Sequence, residues 1–292
     1  MRKYYLFSII SMLLICNPTV QAEDKTDKDG IQRQPKGVYD LQENAKSQFE
    51  FYTTNNGIFG MNVDNATGGG FWPRDSKNQY LNGSGFWFGA IRKMPDSDNQ
   101  RKYVEISFNP NSGASWFVPG SIEDGEKVQP QDMKKNRVYF STDFDQETGI
   151  AEDPEDGPDW AIWRTDTTKR YQAGEYLHEY VNDTSKRNLS NYPYGPMFVS
   201  DEDVFSIYKD TDLSRFEGGE SRRENDGYPL GLEVKSKIYS WETGRKKDMA
   251  VQVFLLENKS DDTLTYCYFA GIYDIDIAVQ QFAQAGALND RV

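Results

Sequence analysis

The chain has 292 residues, 46 acidic against 33 basic side chains, a net charge of −13 and 14% aromatics. That charge argues against nucleic acid and anionic membranes as partners, because phosphate surfaces are bound by clustered Lys and Arg. The length allows a sizeable core in one large domain or two small ones.

Residues 1–22 read as a secretory signal peptide. Arg2 and Lys3 open it, Leu6 to Ile15 form its apolar run, and Val20-Gln21-Ala22 fits a small-x-small cleavage site. The apolar run is shorter than the roughly 20 residues a membrane-crossing helix needs, so no span is expected after cleavage. Removing it takes away Arg2, Lys3 and Cys16, leaving Cys267 as the one thiol of a more acidic chain. An exported protein without disulfides fits a bacterial source and must be held by its core. Residues 23–46 are polar and read as a flexible leader, with a β-sandwich domain from 47 to 292.

From Phe49 onward the pattern is that of strands. FEFYTT, GFWFGAI (85–91), YVEISF (103–108), RVYFS (137–141) and DVFSIYK (203–209) are short runs of β-branched and aromatic residues. They are separated by turns rich in Gly, Asn and Pro. The consecutive rings Phe86, Trp87 and Phe88 predict a strand covered on both faces. LGLEVKSKIYSW (230–241) alternates over its length, with Leu232, Val234 and Ile238 read as not quite in phase, which suggests a bulge. The stretch from Asp248 to Asp276 predicts a long hairpin, two arms joined by the polar turn 258–262. Gln172 to Tyr180 is the best candidate for a short helix. Nothing has the strand–helix alternation of a doubly wound fold, and no glycine cluster opens a helix to cradle a phosphate. The expected fold is therefore an all-β antiparallel sandwich, one or two packed modules, with long loops. The chain ends in ALNDRV without a terminal signal, which suggests a piece of a longer protein.

The acidic pairs are the first candidates for chemistry. Asp274 and Asp276 lie one strand period apart on the same side, and Asn289 and Asp290 could return to meet them. Oxygen donors of this kind suit a structural Ca²⁺ ion. Asp210 and Asp212 form a second such pair, and Asp143 and Asp145 a third. The competing reading is that Asp-x-Asp marks solvated strand ends. His178, the only histidine, reads as a surface residue, and one His with one Cys cannot supply the usual zinc ligands. Cys267 reads as a small buried hydrophobe. Among the six tryptophans, Trp72 and Trp116 fall in loops rich in Gly and Pro and are the candidates for stacking on a sugar; the others read as core.

The segments NNGIFG (55–60), FWPRDSKNQYLNGSGFWFGA (71–90), FNPNSGASWFVPG (108–120) and PLGLEV…YSW…LLENKSDDTL…FAGIYDIDI (229–277) resemble uncharacterised exported β-sandwich proteins of the Bacteroidetes and Ignavibacteria. Many of these carry a C-terminal sorting domain of type IX secretion. The resemblance implies export and sandwich modules but carries no catalytic residue. An Asp-x-Asp-Ile-Gly segment is typical of that family, and here Ala278 stands in place of its glycine.

The expected function is an exported structural or binding module of the cell surface or extracellular space. Its partner would be a protein or glycan, with Ca²⁺ as a structural cofactor and no catalysis inferred. The alternative is a carbohydrate-binding or glycan-hydrolysing protein using the aromatic loops near Trp72 and Trp116. A hydrolase would need two carboxylates at fixed separation.

Overall fold

A computed structural model of the chain describes residues 4–8 (as backbone), 39–93, 100–122, 136–146, 151, 198–213 and 227–277. The helix expected at 172–180, His178, Asn289 and Asp290 lie outside them. The fold is all-β, built of antiparallel sheets packed together as a sandwich. The largest sheet runs β1 (Tyr4–Ser8), β14 (Ala250–Asn258), β13 (Leu232–Ser240), β12 (Glu202–Lys209). The far edge of β12 is covered by two short pieces, β10 (Val118–Pro119) at Tyr208 and Lys209 and β11 (Tyr139–Phe140) at Val204 and Phe205.

Facing it is a three-stranded sheet of β15 (Thr265–Asp274), β8 (Gly83–Lys93) and β9 (Gln100–Ile106), with β8 in the middle. Smaller strands extend this layer: β2 (Leu41–Glu43), β3 (Glu50–Thr54), β6 (Gly70–Phe71) and β7 (Gln79–Leu81) pair in that order, and β4 (Met61–Asn62) pairs with β5 (Thr67–Gly68). Phe59 joins the two parts, bridging Thr53 of β3 and Ser84 of β8.

Alternation explains the core. Phe86 and Phe88 of β8 and Phe269 of β15 meet Tyr208, Val234, Phe254 and Leu256 of the large sheet, with Phe117 and Leu264 filling in. A second cluster, Phe51, Phe59, Leu81, Phe140, Val204 and Ile238, continues the same layer beneath the small strands. Each fully buried ring contributes roughly 1.5–3 kcal/mol by leaving water. The reverse face of the large sheet is covered too, by Tyr139, Phe144, Ala151, Phe198 and Phe205.

Three expectations are corrected. The stretch from Asp248 to Asp276 forms two strands but no hairpin: β14 pairs with β13 and β1, and β15 pairs with β8 in the opposite sheet. Both edges of β14 are taken, so the chain crosses the sandwich after Asn258, with Leu264 buried on the way. Strand β13 has no bulge, because Leu232, Val234, Ser236 and Ile238 keep one face in unbroken register; the irregularity lies in β15, between Thr265 and Tyr268. The folded domain also starts before residue 47. Leu41–Glu43 pairs with β3, the buried Asn44 accepts the Phe51 amide at 2.7 Å, and the Ala45 amide donates to both carboxylate oxygens of Glu202 at 2.9 and 3.0 Å. Polar composition hid this because these side chains satisfy backbone groups instead of packing as hydrophobes.

Candidate functional site

One sheet surface carries uncovered aromatics. Odd-numbered residues of β8 face outward, opposite the core rings Phe86 and Phe88. Trp87 is 38% exposed, so β8 is not covered on both faces as its three consecutive rings predict. Cross-strand register builds the surface row by row. Trp87 lies between Ala270 and Ile106, and Gly89 between Tyr268 and Val104. The next row is Ile91 with Lys102. Tyr268 and Val104 are 71% and 42% exposed, and Tyr266, at the irregular end of β15, is 70% exposed. Residues one row apart on neighbouring strands stand about 7–8 Å apart, within reach of aromatic side chains. The Trp87 indole is held in place by donating from Nε1 to the Phe108 carbonyl at 2.9 Å. No carboxylate occurs in these rows, in a chain with 46 acids.

Gly89 gives this face its relief. Glycine inside a strand weakens it and often marks a close approach by another backbone or a ligand. For Gly83 and Gly85 the approach is internal: a Cβ at either would press on Phe108 at 2.6 Å, and at Gly85 also on Ser107 Oγ. At Gly89 an added Cβ would meet only the Tyr103 carbonyl, at an ordinary 3.7 Å, and the backbone there has no positive φ. Neither packing nor conformation within the chain requires this glycine. It leaves the row between Tyr268 and Val104 without a side chain at its centre, next to the row of Trp87. Gly85→Ala is expected to cost about 1–3 kcal/mol by overpacking. Gly89→Ala should be neutral or stabilising by up to about 1 kcal/mol. Urea midpoints of the two variants check this, and equal losses would mean that Gly89 too is a packing residue.

The residues singled out in the sequence lie elsewhere. Trp72 follows β6; its Nε1 donates to Asp248 at 3.0 Å and its ring meets Tyr80 edge-on. Trp116 is half-buried, and its amide donates to the Ile106 carbonyl at 2.9 Å. These contacts tie the two tryptophans to different parts of the fold. Asp274 accepts from the Asn82 side chain at 2.9 Å, and Asp276 follows the end of β15. Asp210 is buried, and its two oxygens accept the Leu230 and Leu232 amides at 2.9 and 2.8 Å. Asp212 is half-buried just beyond it. Among the described residues no three Asp, Glu, His or Cys side chains converge as a metal group. Cys267 is half-buried against the main core.

Two polar features went unread in the sequence. One is an open cleft of about 440 Å³ lined by Lys46, Thr142, Phe144, Asp145, Gln146, Ser200, Asp201 and Glu242. Its Glu242 pairs with Lys46 at 3.4 Å, and no tryptophan lines it. The other is a buried charged row across the reverse face of the large sheet, where Lys209, Glu233 and Glu257 stand opposite one another on β12, β13 and β14. Burial alone would raise the Glu233 carboxyl. Lys235, the Ser121 hydroxyl, Lys259 and the Ile122 amide outweigh it and hold the group below its usual value. This row joins strands, and the open aromatic surface lies on the opposite side of the molecule's main core. Its signal in the sequence was the odd-numbered set Trp87, Gly89 and Ile91, an apolar face holding a glycine that could have been an alanine. Comparison of the chain with protein-family models, curated proteins and solved structures finds no match.

Proposed function

We propose that the chain is an exported binding module of the cell surface or extracellular space, and that it binds through the outer face of β15, β8 and β9. The observation that supports this is the exposed set Trp87, Tyr268 and Val104 in adjoining rows about Gly89, rows that hold no carboxylate. Exposed Trp and Tyr side chains are among the residues that dominate binding hot spots. The pinned indole loses little freedom on binding, so more of its contact energy remains as affinity. The absence of acids suits a neutral ligand, either the apolar face of a sugar ring or an apolar protein side chain. A sugar on this face is the glycan alternative carried by Trp87, beside the candidate Trp72, which is itself 36% exposed.

A glycan array probed with the full chain tests this. Binding to neutral glycans is expected to fall at least tenfold in Trp87→Ala and in Tyr268→Ala, with the melting temperature of Tyr268→Ala unchanged. Hits indifferent to both substitutions would move the site off this face. A blank array would reject the sugar; the same two variants, compared in an adhesion assay on producing cells, then test the protein ligand.

A further inference from the structure

The two edges of the large sheet are treated differently. The β12 edge is broken into two short pieces and carries Pro119, a residue that cannot extend a ladder. The β14 edge has no such guard. AVQVFLLE (250–257) contains no Lys and no Pro, and it pairs with β13 without a bulge. In this chain the edge is occupied by β1, antiparallel, with Tyr4 opposite Glu257 and Ser8 opposite Val253. Yet β1 belongs to the stretch read as the secretory signal. Removal of residues 1–22 strips this edge and leaves β14 with one bonded flank.

A second observation lies at the same edge. Glu257 ends the buried charged row. Its Oε1 meets Lys259 at 3.2 Å, but Oε2 is buried with no hydrogen-bond partner. A strand lying where β1 lies would place one side chain beside Glu257 on the same face, since directly opposed residues share a face.

We infer that the β14 edge of the processed chain is a strand-acceptor site. Its ligand is an extended segment of a partner protein, running antiparallel to β14. That segment is apolar where it opposes Val253 to Leu256 and carries a long cationic donor (Lys or Arg) opposite Glu257, where β1 has Tyr4 and Oε2 has no partner. Main-chain hydrogen bonds supply the affinity and the alternate side chains the selectivity, as in other cases of β-strand addition. The inference rests on loss of the leader and is independent of the aromatic face.

The test starts from the exported chain, with its intact mass recorded to establish loss of residues 1–22. A fluorescein-labelled peptide of residues 2–9 is then titrated against it and against the unprocessed 1–292 chain. Saturable binding to the processed chain is expected, at least tenfold weaker binding to the unprocessed one, and none by a peptide N-methylated at alternate residues. Hydrogen exchange at Val253 to Glu257 should slow when the peptide is added. A chain that keeps residues 1–22 refutes the leader and this inference with it. A chain that loses them and ignores the peptide, or binds the N-methylated form equally well, refutes the acceptor edge alone.

Discussion

Phe86→Ala is expected to cost about 3–5 kcal/mol, the range for removing a fully buried aromatic ring. Phe86 has no exposed surface, and its ring centroid lies 5.1 Å from Phe269, 5.2 Å from Phe254, 5.4 Å from Phe117 and 6.4 Å from Tyr208. Phe254 and Tyr208 come from the large sheet and Phe269 from the sheet of Phe86 itself, so this ring is where the two layers meet. Paired rings add about 0.5–1.5 kcal/mol each beyond their area, and the void left by truncation is lined by rigid neighbours that cannot all close in. Urea denaturation should show the midpoint falling with the slope unchanged, as for a change in stability without a change in compactness. Trp87→Ala, one residue along, is the control. It removes an outward ring and one hydrogen bond to a carbonyl, so a loss nearer about 1 kcal/mol is expected. A loss of less than about 1 kcal/mol in Phe86→Ala would mean that the two layers do not share this core.

The contrast between these neighbours shows what was legible in the sequence. Period-two alternation located the strands from β8 onward and the fold class, because a half-buried strand must segregate its side chains. It did not say which face of β8 is covered. Trp87 and Phe88 look alike as apolar rings, and only the placement of β15 and β9 beside β8, with the large sheet on one side, separates them. Nor did it say which strands pair. β14 and β15 are consecutive and apolar, which is equally compatible with a hairpin and with a crossing between layers; the pairing is decided by β13 and β1, which occupy both edges of β14. Export, ligand and ions are properties of processing and of partners, on which alternation has no bearing.

Asp210→Ala is expected to give the second large effect. Asp210 stands at the end of β12 and takes the amides of Leu230 and Leu232, so it ties the start of β13 to the strand beside it. Alanine would leave two buried donors without acceptors, at about 1–3 kcal/mol each, or roughly 2–6 kcal/mol together. The pH dependence identifies the cause. Burial pushes the Asp210 carboxyl up to about 7, against the four backbone amides that favour its charged form. An acid whose value is raised on folding holds its proton in the native chain at pH values where the unfolded chain has lost it. Its contribution is therefore fully present at low pH and is lost as pH rises between about 4, the unfolded value, and 7. The gap in stability between the native chain and Asp210→Ala should be widest at or below about pH 4, narrow between about pH 4 and 7 and level off by pH 8, in urea midpoints taken at each pH. A gap that widens toward pH 8 would show that the charged carboxylate is the stabilising form. That would return Asp210, with Asp212, to consideration as half of a cation site.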